Sequence, residues 1–165
     1  MCIGLFLEYA VICLGLTLAF IVFSNNMKDP LNRSFFLFLI GFVIWIFCAN
    51  VVFVGKNIFF TKPMLVGAEI MILGFVLFSQ FFPSRDKRQI KKNRNFIFFL
   101  IPWFIIFLST FTKLIIDLVD VDNDGYPNMV RGVLFWARFL TMLFYVIWSI
   151  YIFVKKYIYH GYRKC

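Results

Sequence analysis

Five apolar runs, at 3–23, 35–54, 64–82, 96–114 and 130–154, dominate this 165-residue sequence. Each is close to the ~20 residues that a helix needs to cross about 30 Å of hydrocarbon. None alternates apolar with polar positions as a membrane β-strand does. A backbone in lipid has to satisfy its own N–H and C=O groups, so the runs predict helices. Composition agrees: 62% of the residues are hydrophobic and 15% charged, against about 45–50% and about 25% in soluble domains. A chain this short cannot bury so much apolar surface in a core of its own. Soluble enzyme, disordered tail and secreted disulfide scaffold are excluded together. The expected fold is an all-α, polytopic transmembrane helical bundle of five spans. With no repeat or low-complexity linker in view, residues 1–165 read as one domain. The first run lacks a basic leader and carries Glu8, so it reads as a retained span and not as a signal peptide.

The net charge of +9 suggests nucleic acid only until the basic residues are placed. Lys28 and Arg33 follow the first run. Arg85, Lys87, Arg88, Lys91, Lys92 and Arg94 follow the third, and Lys155, Lys156, Arg163 and Lys164 follow the fifth. Those twelve lie on one side of the membrane, against Lys56, Lys62, Lys113 and Arg131 on the other. By the positive-inside rule the N-terminus is expected outside and the C-terminus in the cytoplasm of a cell membrane. The basic residues then face anionic lipid headgroups, and nucleic acid drops out as a partner.

Local punctuation supports the boundaries. Pro63 stands at the first turn of the third run, where its missing N–H removes no helical bond, and Pro83 and Ser84 stop the same run. Pro102 falls inside the fourth run and predicts a kink. Gly15 with Ala19, and Gly67 with Gly74, are small residues at spacings that let helix backbones approach. The four cysteines, Cys2, Cys13, Cys48 and Cys165, form no metal or redox spacing.

A charge at membrane depth costs at least about 2.5–3.5 kcal/mol on insertion scales, so each one asks for an explanation. Glu8, Glu69, Lys113 and Arg138 all fall in the expected outer half. Arg131, Arg138, Thr141, Tyr145 and Ser149 recur at helical spacing on the fifth run, and Glu69 shares a face of the third with Ser79 and Gln80. Glu8, Glu69, Arg138 and Tyr145 are therefore the candidate residues. Two readings stay open for them: a structural ion pair that holds two helices in register, or an outward-facing polar pocket for a small ligand or ion.

Asp120, Asp122 and Asp124, followed by Gly125, match the start of a calcium loop. Arg131 stands where an EF-hand needs a bidentate glutamate, so a polar acidic turn accounts for the segment equally well. The lone His160 has no acidic neighbour to make it a phosphoacceptor. There is no phosphate-binding glycine loop, no nucleophile–histidine–acid grouping and no metal cluster, so no cofactor, no metal and no catalytic activity are expected.

One group of motifs carries a resemblance. Asn32-Arg33-Ser34-Phe35-Phe36 enters the second run and Trp45 lies inside it. The third run ends in Phe75-Val-Leu-Phe78-Ser-Gln-Phe-Phe82-Pro83 before a basic loop. Pro102, Gly132 and the closing Tyr157…Gly161-Tyr-Arg-Lys stretch follow. Across residues 24–160 these resemble the N-terminal seven-transmembrane region of bacterial membrane sensors, mostly histidine kinases. The resemblance implies an all-helical sensory bundle that passes an external or intramembrane signal to a cytoplasmic output. It also implies seven spans where five are present here, and an output domain that this sequence does not carry. A homodimer or a separate cytoplasmic output protein is then the expected partner. The alternative from another class is a small oligomeric transporter or channel component. Broken helices and inverted repeats mark transporters, and one Pro-interrupted helix without a repeat weighs against that alternative.

Overall fold

The computed structural model describes residues 2–82, 94–112, 115–121 and 127–162. Its elements, in chain order, are α1 (Cys2–Asn25), α2 (Pro30–Phe53), a 3-10 turn (Ile58–Phe60), α3 (Thr61–Phe81), α4 (Arg94–Ser109), β1 (Ile116–Val121), β2 (Pro127–Arg131) and α5 (Phe135–Tyr162). Four of the helices contain stretches long and apolar enough to cross a membrane: Phe6–Asn25, Pro30–Phe53, Ile58–Phe81 and Phe135–Ile158. The fourth run makes a shorter apolar helix, because α4 ends at Ser109 and residues 110–112 leave it as a turn.

The helix ends follow from side-chain chemistry. Asp29 Oδ1 accepts from the Leu31 amide at 3.0 Å, and Pro30 takes the first helical position, so α2 starts with a capped and pre-set turn. Asn57 caps the 3-10 turn in the same way, accepting from the Phe59 amide at 3.1 Å. At the far end of α3, Phe82 has φ −71° and ψ 139°. Its successor Pro83 forces that extended backbone by excluding the helical region for the residue before it.

α2 and α3 form the tightest pair, and small residues are the reason. A Cβ on Gly41 would fall on the backbone of Met71, and one on Gly74 on the backbone of Phe38. A Cβ on Gly67 would come within 2.7 Å of the Trp45 amide nitrogen. Glycine on both helices lets the backbones touch, which is how association is driven when lipid removes the hydrophobic difference between helix and surroundings. The small-residue face of α1 serves α2 likewise: Ala19 is buried and Gly15 packs on Val43.

α3 is the central helix. Its buried residues include Met64, Leu65, Ile72 and Val76. Cys48 of α2 and Ile106 of α4 pack with Met64 and Leu65 at one level, while Leu100 and Trp103 of α4 and Tyr145 of α5 meet Ile72 and Val76 at another. α1, α4 and α5 expose wide apolar faces, such as Phe20, Phe104 and Ile147. On a membrane-embedded bundle those faces are where lipid belongs.

Aromatic rings close the other end. Phe35 of α2 lies 5.5 Å from Phe78 of α3, and Phe82 stacks on Phe153 of α5 at 4.6 Å. The Phe35 and Phe78…Phe82 motifs, more than forty positions apart in the sequence, therefore meet in one cluster.

The helical bundle carries one addition and one correction. Between α4 and α5 a short hairpin is added: β1 and β2 pair antiparallel, from Ile116↔Arg131 to Val121↔Pro127, with a bulge between Ile116 and Leu118. The β-branched, partly alternating Ile116-Asp-Leu-Val-Asp-Val121 is strand-forming material, and length-based reading of apolar runs passed over it. As a result α5 begins at Phe135 instead of 130 and extends to Tyr162. Arg131 belongs to β2 and not to the polar face of the helix.

Candidate functional site

Arg138 is the fourth residue of α5, so it stands in the first turn of that helix, closer to the helix start than the sequence spacing suggested. A cation there opposes the positive end of the helix dipole and has to find an acid. Glu69, two turns into α3, supplies it. Arg138 Nε donates to Glu69 Oε1 at 2.9 Å, and Arg138 Nη2 donates to the Leu65 carbonyl at 3.2 Å. The pair is enclosed, with Glu69 1% and Arg138 7% exposed. The Glu69 carboxylate thus compensates both the guanidinium and the N-terminal end of α5.

Two further groups complete the site. The indole N–H of Trp103 lies within electrostatic reach of the same carboxylate, yet Nε1 is buried without a hydrogen-bond partner among the described residues. The backbone N–H of Trp103 donates to the Tyr145 hydroxyl at 3.2 Å. Its position explains this. Pro102 sits inside α4, where its ring disturbs the preceding turn and frees backbone groups that a neighbouring helix then satisfies. Tyr145, 1% exposed on α5 and two turns beyond Arg138, is that neighbour.

Of the candidates, Glu69, Arg138 and Tyr145 gather in one cluster spanning α3, α4 and α5. Glu8 does not join them. It is exposed on α1 and accepts from the Asn50 side-chain amide of α2, the helix on which α1 packs. The inward face of α5 runs Arg138, Tyr145, Ser149, all buried, with Thr141 half-buried beside them and donating to the Ala137 carbonyl at 2.7 Å. Ser149 Oγ is buried with no partner among the described residues.

Of the calcium-loop candidates, Asp120 lies in β1 opposite Asn128, whereas Asp122 and Asp124 lie outside the described residues, as does Lys113. No group of three or more His, Cys, Asp or Glu capable of holding a metal ion occurs among the described residues.

Sequence reading missed Trp103, Lys156 and Lys62. Trp103 was legible in principle, since the residue after a mid-helix proline often needs an outside hydrogen-bond partner. The lysines were counted only as topological charge. Lys156 Nζ donates to the carbonyls of Ser79, at 3.1 Å, and Gln80 in the last turn of α3. Lys62 Nζ donates to the Phe111 carbonyl, at 3.2 Å, just past the end of α4. Both satisfy orphan carbonyls at a helix C-terminus.

The comparisons with known proteins point one way. A family model described as the N-terminal 7TM region of histidine kinase matches residues 7–164. No curated protein and no solved structure matches the chain.

Proposed function

The chain belongs to the family of the N-terminal 7TM region of histidine kinases, and on that premise we propose that its buried polar cluster is where a signal acts on a membrane sensory module. The observation that carries this reading is the Glu69–Arg138 pair, enclosed between α3 and α5 with the unpartnered Trp103 indole N–H beside it. A buried ion pair is seldom the most stable way to fill such a space, since apolar residues of similar volume often do as well or better. Ionisable residues at membrane depth therefore mark function by default. A donor without a partner adds a point at which an incoming group, or a rearrangement, gains a hydrogen bond.

In this reading the module has five spans, α4 crossing the membrane along with the four longer helices despite its shorter length. Its N-terminus is outside and its C-terminus is in the cytoplasm of the cell membrane, as the distribution of Lys and Arg supports. The module itself is non-enzymatic. Catalysis belongs to an output in a homodimeric assembly or in a separate cytoplasmic protein. The basic loop at 85–94 and the basic residues after 154 lie against anionic headgroups.

The test is a chimera in which this chain is joined in frame to the cytoplasmic kinase portion of a family member. Autophosphorylation in membranes is read while candidate stimuli are varied. Stimulus-dependent phosphorylation supports the sensory reading. A kinase whose activity is the same with this chain as with an inert membrane anchor of equal span number overturns it.

A further inference from the structure

We infer that Lys156 is a latch that ties the inner end of α5 to the end of α3, and that the Glu69–Arg138 pair sets whether the latch is closed. This rests on the sensory reading above and names how a change in the polar cluster travels. α3 and α5 run parallel: Glu69 and Arg138 meet near the starts of the two helices, and Lys156 meets Ser79 and Gln80 near the inner ends. Eighteen residues separate Arg138 from Lys156, about 27 Å at 1.5 Å per residue. Ten or eleven separate Glu69 from the accepting carbonyls, about 15–17 Å by the same rise. The difference is taken up by helix tilt and by Lys156 leaning back toward the start of its own helix, the direction in which helical side chains point. The contact is therefore sensitive to where α5 stands along α3.

What lies between the two tethers favours movement as a unit. The α5 face turned to α3 carries Tyr145 and Ser149, both buried, and Ser149 Oγ has no partner among the described residues. Between the tethers, α5 meets α3 through the packing of Tyr145 on Ile72 and Val76. At the inner end Phe153, one turn before Lys156, stacks on Phe82 at 4.6 Å and lies 6.5 Å from Phe78. Ring stacking and the lysine contact engage the same last turn of α3, and an axial shift of α5 disturbs both at once. Loss of the Glu69–Arg138 tether frees α5 to make the 1–2 Å translation, roughly, that helix shifts in switching proteins display. Lys156 Nζ, which holds two carbonyls of the last turn of α3 at once, then loses that paired contact with Ser79 and Gln80. α5 is accordingly the transmitting helix, and its stretch beyond Lys156 carries the displacement away from α3.

The experiment uses the full chain in lipid nanodiscs, with Cys2, Cys13 and Cys165 replaced by Ser and Cys48 by Ala. Spin labels go at Phe81→Cys on α3 and Tyr157→Cys on α5. The inner distance is read in three backgrounds: unaltered, Glu69→Gln, and Lys156→Met. Both substitutions are expected to broaden the distance distribution and move its maximum by about 1–2 Å or more. The exchanged pair Glu69→Arg with Arg138→Glu is expected to return the distance toward the unaltered value. The inference is overturned if Glu69→Gln leaves the inner distance unchanged, or if Lys156→Met does. Should Glu69→Gln fail to insert, Arg138→Lys, which keeps the charge and shortens the reach, is read by the same criterion. No kinase output takes part in this measurement, so its failure leaves the sensory reading to be decided by the chimera.

Discussion

The backbone N–H of Trp103 and the hydroxyl of Tyr145 are joined at 3.2 Å although 42 positions separate them in the chain. The bond ties the turn of α4 that Pro102 distorts to a neighbouring helix, as membrane helices with an internal proline require. It fastens the shorter helix to α5 next to the enclosed Glu69–Arg138 pair.

Tyr145→Phe tests that bond with almost no change of shape. The variant is expected to lose about 1 kcal/mol of stability, the size of an interhelical hydrogen bond within a membrane. Reversible unfolding of the detergent-solubilised protein by SDS titration, followed through tryptophan fluorescence, gives the value. A variant as stable as the parent shows that the Trp103 amide finds another partner without loss.

The ion pair makes a sharper demand. Glu69→Leu alone leaves Arg138 enclosed and uncompensated, and Arg138→Met alone does the same to Glu69, each at about 3–5 kcal/mol. The double variant is expected to recover most of that loss, since an apolar pair of similar volume fills the space. A double-mutant cycle on unfolding free energies checks it, and additive losses contradict the pairing.

Close backbone contact at the glycines predicts an order among three substitutions. Gly41→Ala and Gly74→Ala place a methyl group on the backbone of the facing helix, and a backbone cannot rotate away. Gly15→Ala meets only Val43 Cγ2, at 2.9 Å, and a side chain can turn. The first two are expected to destabilise by about 1–3 kcal/mol or more, as overpacking does, and Gly15→Ala by less. Thermal unfolding of the three variants side by side reads the order directly.

Orientation is open to a thiol experiment. In intact cells a membrane-impermeant maleimide is expected to modify Cys2 and to spare Cys165, which reacts only after the membrane is opened. Cys13 and Cys48 lie within α1 and α2 and are expected to stay unlabelled in both conditions. Mass spectrometry of peptides from the labelled protein locates each adduct, and the opposite pattern inverts the topology.

Much of this arrangement is legible in the residues, and the failures have physical causes. Length and apolar character located the long helices because lipid imposes one backbone solution, and the Glu69–Arg138 pairing followed from two uncompensated charges at similar depth. Gly67 and Gly74 announced a close helix contact by their spacing. The hairpin was missed because its aspartates made the stretch after the fourth run read as a polar acidic loop, and Val130 of β2 ran into the apolar fifth run, which set α5 five residues too early. Glu8 was grouped with Glu69 because depth is readable from sequence and lateral neighbourhood is not: Asn50 holds it at the α1–α2 contact. Lys156 looked like one more cytoplasmic charge, and nothing in a linear count reveals that it reaches the carbonyls of Ser79 and Gln80.

The most direct measurement of the central claim is the output of the kinase chimera with the charges of the cluster rearranged. Autophosphorylation is compared for the parent, Glu69→Gln, Arg138→Glu, and the exchanged pair Glu69→Arg with Arg138→Glu. Membrane insertion is verified for each. The account predicts that the two single variants hold the output at a fixed level regardless of stimulus, and that the exchanged pair restores a response. Single variants that insert normally and respond to stimulus as the parent does would contradict it.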